Sequence, residues 1–358
     1  MIHAAILAGG RGQRLWPKSR RRSPKHLLPL LSDKTMLQET VSRLEGVAND
    51  ENIYIVTEEG QQRTICEQLP DIPKANILVE PEGRNTAASI GFAAAHMSKR
   101  DPEGVMISLH SDNWVGEVET FRRILSDAAV VAEKTGRLGT VGITPSYPAT
   151  GFGYIHVGER IEVDLPTTFW EGQEFVEKPD RETAEQYVAS GEHFWNGGMF
   201  IWKIAAILDA IREHMPRLYE GCLAIKETIG THAERSTLAR VYGALEKIPI
   251  DTGVMEKTAN IFVAKGDFPW DDVGSWAAME NHYPADSQGN VAIGQFEQVD
   301  CHNSIIIGDD TLIAAVGVSD LIIVKSADAV LICRKDRAEE VRDLVAKLSS
   351  SEKFKKYL

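Results

Sequence analysis

The order of apolar segments predicts an α/β fold: a Rossmann-like domain with a mostly parallel sheet, followed by a small C-terminal β-rich module. Three observations carry this expectation. The first half of the chain alternates short β-branched runs with helical stretches. A glycine-rich loop follows the first of those runs directly. Near the C-terminus the helical pattern gives way to four short β-branched runs spaced by about nine residues.

Strands are expected at Ala4–Leu7, Ile53–Val56, Ile77–Val79, Val105–Leu109 and Leu138–Gly142. Helices are expected between them, most clearly at the Ala-rich stretch Thr86–Met97, with Asn85 or Thr86 as N-cap, and at Val118–Lys134. From Thr150 to Ile201 the strand signals become irregular around Gly151, Gly153, Gly197 and Gly198, and helical segments follow at Ile204–His214 and Leu218–Ile229. This stretch reads as an elaboration beside the sheet. Pro284, Asp286, Ser287 and Gly289 mark a linker at His282–Asn290, which divides the chain into a large α/β domain of residues 1–285 and a module of residues 286–358. In the module the runs are Ser304–Ile307, Leu312–Val316, Leu321–Val324 and Val330–Cys333, closed by a helix at Arg337–Leu348. Internal repetition is too weak to indicate a solenoid.

With 358 residues and 43% hydrophobic content, the chain can bury a large core. Cys66, Cys222, Cys301 and Cys333 are far apart and form no CxxC pair, so they read as reduced thiols rather than as a zinc site or disulfide framework. Met1 leads straight into an apolar strand too short for a secretory signal, and no apolar run approaches the ~20 residues that span a bilayer. A cytoplasmic protein is expected. The net charge of −13 argues against nucleic acid and membrane surfaces as partners. Yet Arg11, Arg14, Lys18, Arg20, Arg21, Arg22 and Lys25 all precede the first acidic residue, Asp33, and such a local cationic segment suggests a small polyanionic ligand.

The glycine loop, Ala8-Gly9-Gly10-Arg11-Gly12-Gln13-Arg14-Leu15, lies where ligands gather in α/β sheets, outside the carboxyl end of a strand. Backbone N–H groups of Gly9, Gly10 and Gly12 can approach phosphate without Cβ obstruction beside that of Ala8, and Arg14 and Lys25 can supply charge to a triphosphate. It is not a Walker loop, since Trp16-Pro17 follows, and the dinucleotide fingerprint Gly-x-Gly-x-x-Gly is missing, which speaks against a nicotinamide-dependent oxidoreductase.

GGRGQRLWPKSRRRSPKHLLPL resembles the signature of the sugar-nucleotide pyrophosphorylases, and its Leu15-Trp16-Pro17 and Ser19-Arg20 continuation is similar to the mannose-1-phosphate guanylyltransferase branch. The resemblance continues through Glu80-Pro81-Glu82-Gly83-Arg84-Asn85-Thr86, Phe175-Val176-Glu177-Lys178-Pro179, Trp195-Asn196-Gly197-Gly198-Met199-Phe200 and Trp270-Asp271-Asp272-Val273-Gly274-Ser275-Trp276. It implies that residues 1–285 are a nucleotidyltransferase catalytic domain that transfers GMP from GTP to mannose 1-phosphate, forming GDP-mannose and pyrophosphate with Mg²⁺ as cofactor. The alternatives are the same chemistry on another sugar 1-phosphate or nucleotide, and a non-catalytic nucleotide-sensing paralogue; a homodimer is among the allowed assemblies.

Each block also has a physical reading. The Glu80 carboxylate can accept from a base edge with adjacent N–H donors, as guanine has, and Arg84, Asn85 and Thr86 open a helix whose N-terminus favours anions. Glu177 and Asn196 can hold sugar hydroxyls, Lys178 the sugar phosphate, and Gly153 and Gly198 permit close approach to the ring. Asp112 in His110-Ser111-Asp112-Asn113 and Asp272 make a carboxylate pair suited to Mg²⁺; Asp271 is the weaker candidate, because the resemblance places the ligand directly before Val-Gly. The chain departs from the family pattern at His110 and Asn113, and at Thr252, where an aromatic is usual.

Overall fold

The computed structural model describes residues 1–10, 12–259 and 261–358, so Arg11 of the cationic segment lies outside the described residues. The chain folds as two compact units, one comprising Met1–Gly9, Thr40–Ser111 and Val115–Trp270, the other Gly10–Glu39, Asp112–Trp114 and Asp271–Leu358.

In chain order the first strands are β1 (Ile2–Ala8), β2 (Ile53–Glu58), β3 (Ile77–Glu80), β4 (Val105–His110), the two-residue β5 (Trp114–Val115), β6 (Leu138–Ile143), β7 (Gly153–Ile161), β8 (Phe169–Glu177), β9 (His193–Lys203), β10 (Ile261–Gly266) and the two-residue β11 (Trp270–Asp271). The large sheet of the first unit has the order β3-β2-β1-β4-β9-β6-β10-β8-β7. As expected, β3, β2, β1 and β4 run parallel, and β6 pairs in parallel with β10. Strands β7, β8 and β9 run antiparallel to their neighbours, so the sheet as a whole is mixed.

The stretch read as an elaboration beside the sheet is therefore part of it, and β9 lies at its centre, between β4 and β6. Met199–Trp202 of β9 are buried. The Gly197-Gly198 pair hides that strand in the sequence, and it has a structural purpose: the pairing of β9 with β6 shifts register between Thr140 and Gly142, opposite the glycines, and the resulting bulge re-aims the neighbouring Asn196.

The helix Thr86–Arg100 is capped by Asn85, whose Oδ1 accepts the Thr86 N–H at 2.8 Å. It buries residues around most of its circumference because it packs on both the sheet and the helix Pro216–Thr228. The fit is close: a Cβ on Gly91 would sit 2.9 Å from Cys222 Sγ. A further helix, Glu234–Ala244, was not anticipated from the sequence, and it carries the fully buried Tyr242.

In the second unit the tail strands are β12 (Val291–Ile293), β13 (Phe296–Val299), β14 (Ile305–Ile307), β15 (Ile313–Val316), β16 (Leu321–Ser326) and β17 (Ala329–Arg334). β12, β14 and β16 stack in parallel, Val291 opposite Ile305 and Ile305 opposite Ile322, while β13 stacks on β15. The tail is thus a short parallel β-helix. Its repetition was illegible because the strands are three to six residues long and the coils differ in length, leaving no fixed period.

Buried Asn290 ties the coils together: its Nδ2 donates to the Cys301 carbonyl at 2.8 Å and its Oδ1 accepts the Ser304 N–H at 3.0 Å. Asn290→Ala should leave both groups without their partner and cost about 1–3 kcal/mol. Chemical denaturation followed by circular dichroism would measure this, and an unchanged midpoint would refute the assignment.

Candidate functional site

The second unit collects three segments that are distant in sequence. Gly12 is left-handed, with φ of 56°, and a Cβ there would overlap Lys25 Cβ, so glycine is required for the loop to lie against the lysine. Lys25 is 4% exposed. Its Nζ donates to Asp112 Oδ2 at 3.0 Å and to the backbone carbonyl of Asp272. Burial raises the Asp272 carboxyl above its ordinary value; Lys25 opposes the shift, and the charges of Asp271 and Asp112 add to it. Lys25, Asp112 and Asp272 are thereby brought together as one ammonium and two carboxylates.

Asp271 is handled in the opposite sense. Burial alone would raise it, but donors from His282 at 3.0 Å, Asn281 at 2.8 Å and the Val273 N–H at 2.7 Å hold it below the usual carboxylate range. This brace closes a turn in which Val273, β-branched and fully buried, has φ of 48°. Such a conformation is costly and persists only where the surroundings over-determine it. At Gly274 a Cβ would lie 2.9 Å from Asp272 Oδ2. The turn thus uses up Asp271 and leaves Asp272 to Lys25.

Much of the cationic segment has protein partners. Arg14 Nε lies 2.7 Å from Glu339, Lys18 Nζ 3.0 Å from Asp309 and Arg20 Nη2 2.6 Å from Asp328. These acids belong to the tail, so part of the charge that read as a ligand signal holds the N-terminal loop to the β-helix. The Arg14 pair is partly exposed and worth little in water, about 0–1 kcal/mol, so exchanging it for a phosphate costs little. Gly10 has open space where a Cβ would be.

In the first unit the Ala8 carbonyl accepts the Thr57 hydroxyl at 3.1 Å. Glu80, at the end of β3, is 3% exposed and accepts at Oε1 from the hydroxyls of Ser89 and Tyr242, each at 2.9 Å. Burial pushes its carboxyl up to about 7, the two hydroxyls pull it down and Glu58 pushes it higher. Arg84 pairs with Glu82 at 2.9 Å, and the Thr86 hydroxyl accepts the Ile250 N–H at 2.8 Å.

The expected sugar residues also cluster in this unit. Gly153 faces Glu177 in the β7–β8 register, and a Cβ on it would lie 2.5 Å from Glu177 Oε2 and 3.4 Å from Asn196 Cβ. Lys178 Nζ pairs with Glu177 Oε1. Gly198, with φ of 65°, passes His110 so closely that a Cβ would meet the imidazole at 2.7 Å. The sequence reading missed Asp251, whose Oδ1 accepts from Asn196 Nδ2 at 2.6 Å, while Asn196 Oδ1 accepts the Gly198 N–H at 3.2 Å. Asp251 thereby fixes which way the Asn196 amide points. Its signal was present in Ile250-Asp251-Thr252-Gly253, a segment that stood out only for its Thr252.

Residues 3–288 match the family model described as nucleotidyl transferase, and residues 294–348 the model described as MannoseP isomerase/GMP-like beta-helix domain. The chain belongs to the nucleotidyl transferase family, in the branch of the mannose-1-phosphate guanylyltransferases. A relative of that name from Klebsiella pneumoniae is 37% identical over 99% of this chain and 75% of its own length. Another, from Escherichia coli (strain K12), is 35% identical over 98% of this chain and 74% of its own. A crystal structure from Thermus thermophilus, described as a mannose-1-phosphate geranyltransferase, superposes with a TM-score of 0.88 at 35% identity, over 97% of this chain and 99% of that one. Among the described residues no helix is long and apolar enough to cross a membrane.

Because Glu80 holds its proton more tightly in the fold than in the unfolded chain, it favours the folded state at low pH. That contribution is lost as pH rises from about 4.5 to about 7. Glu80→Gln should therefore be less pH-sensitive than wild type between pH 5 and 7.5, by up to about 3 kcal/mol. Urea midpoints of both proteins across that range test this; parallel curves would show that Glu80 is not so perturbed.

Proposed function

We propose that the protein transfers GMP from GTP to α-D-mannose 1-phosphate, forming GDP-mannose and releasing pyrophosphate, with Mg²⁺ as cofactor. The convergence of Lys25, Asp112 and Asp272 in a nucleotidyltransferase is the observation that carries this reading. The relatives' names supply the substrates.

In the proposed reaction an oxygen of the sugar phosphate attacks the α-phosphorus of GTP, a P–O bond forms there, and the bond to the β-phosphate oxygen breaks. The nucleophile is already an anion, so no general base is needed, and catalysis rests on positioning and charge neutralisation. Glu80 accepts from the guanine edge, and the helix start at Arg84, Asn85 and Thr86 and the N–H groups at Ala8, Gly9, Gly10 and Gly12 serve the nucleotide. Arg14 exchanges Glu339 for triphosphate oxygens, and Lys25 neutralises charge as the leaving group departs. Glu177, Asn196, Gly153 and Gly198 hold the sugar, with Lys178 on its phosphate.

The donor set fits a divalent ion. Asp112 and Asp272 are two carboxylates, the charge of Asp112 raises the proton affinity of Asp272, and the buried Lys25 ammonium lies against both segments. Two carboxylates are enough for Mg²⁺, since it completes its shell with water and substrate phosphate. Bound there it would neutralise phosphate charge. The cysteines, free in the structure, suit the reducing cytoplasm that is part of the same proposal.

Pyrophosphate release from a panel of nucleoside triphosphates and sugar 1-phosphates tests the substrates: GTP with mannose 1-phosphate should be the fastest pair. Glu177→Ala should raise the KM for mannose 1-phosphate far more than that for GTP, and equal rises would assign Glu177 to structure. Asp272→Asn should lower turnover by about two orders of magnitude or more without loss of thermal stability. Asp271→Asn replaces an acceptor facing three donors and should lower the melting temperature instead. If both variants lose stability alike, the metal assignment of Asp272 fails.

A further inference from the structure

We infer that Tyr242, with Ser89, is a positioning residue for nucleotide choice: the two hydroxyls hold Glu80 so that a single carboxylate oxygen, Oε2, is presented to the base. This rests on the reading of Glu80 as the guanine acceptor. Tyr242 comes from the helix Glu234–Ala244, which bears none of the motifs of the nucleotide loop.

The geometry is specific at each atom. The Tyr242 hydroxyl lies 2.9 Å from Glu80 Oε1 and 3.5 Å from the Ala88 carbonyl; the Ser89 hydroxyl lies 2.9 Å from the same Oε1 and 3.3 Å from the Asn85 carbonyl. Each hydroxyl has one proton, and in both cases the shorter contact is to the carboxylate. Oε1 is then saturated. Oε2 has no hydrogen-bond partner among the described residues, and it is the atom nearest to where a Gly9 Cβ would stand, at 3.9 Å. The absent side chain of Gly9 leaves space beside the one oxygen that still has acceptor capacity.

Both donors also favour the charged form that an acceptor needs. Burial drives the Glu80 carboxyl up, and the Ser89 and Tyr242 hydroxyls counter it. The charged group facing it from β2 is Glu58, in register opposite Glu80, which pushes it the same way as burial. Burial holds Tyr242 and its neighbour Cys222 protonated, so Tyr242 remains a donor. Removing the Tyr242 hydroxyl therefore frees the carboxylate to rotate and raises its proton affinity further.

The test compares GTP with ITP, which keeps the N1–H of guanine but lacks the 2-amino group, in wild type, Tyr242→Phe, Ser89→Ala and Glu80→Gln. Tyr242→Phe should lower the ratio of kcat/KM for GTP over ITP by about tenfold, the scale of one hydrogen bond to a charged group. It should also shift the pH profile of the GTP KM to higher pH, with the KM for mannose 1-phosphate within about twofold of wild type. Ser89→Ala should act in the same direction and serves if Tyr242→Phe does not fold. A variant that melts earlier with the GTP/ITP ratio and pH profile unchanged would overturn the inference, leaving Tyr242 a packing residue. If Glu80→Gln collapses the ratio and neither hydroxyl variant moves it, only the positioning role fails. If Glu80→Gln leaves the ratio unchanged, the guanine-acceptor reading itself fails.

Discussion

A lysine ammonium at 4% exposure is tolerable only with counter-charge at hand, and the second unit is organised around that demand. Lys25 draws the Asp112 carboxylate from the segment after β4 and the Asp272 carbonyl from the segment after β11. This explains why a unit dominated by the C-terminal region also includes Gly10–Glu39 and the three residues Asp112–Trp114. Gly12 follows from the same constraint, since a side chain there would overlap the lysine stem. So does the buried packing of Leu15, Trp16, Val273 and Trp276, with the Trp276 indole donating to the Trp16 carbonyl at 2.9 Å.

Adjacent aspartates show how environment separates chemically identical groups. Asp271 receives three donors and is held ionised as a brace; Asp272, one residue on, is buried beside like charges and is raised above its ordinary value, with Lys25 opposing. Val273, which follows them, has a left-handed backbone with φ of 48° and donates its N–H to Asp271. Glu80 in the first unit follows the logic of Asp272, with hydroxyls in place of an ammonium.

The early strands were legible because parallel strands buried on both faces are continuous apolar runs, and β1 to β4 and β6 match their expected positions within one or two residues at each end. β9 was not, because its apolar run is broken by Gly197-Gly198, the bulge that aims Asn196. The cationic segment was legible as charge but not as partners: three of its cations meet acids of the tail, which lie about three hundred positions away in sequence. The helix Glu234–Ala244 showed no pattern strong enough to single it out, and with it Tyr242 escaped notice.

The sequence by itself determined the α/β class, the β-rich tail and the family, because glycines, strand-terminal charges and apolar runs are local and survive as motifs in one dimension. Only the tertiary structure decided that Lys25 stands between Asp112 and Asp272, that Asp271 is a brace, that Asp251 orients Asn196, and that Tyr242 and Ser89 share one oxygen of Glu80. The physical reason is range. A hydrogen bond acts over about 3 Å in space and is indifferent to sequence separation, so which donor meets which acceptor is settled only when distant segments pack.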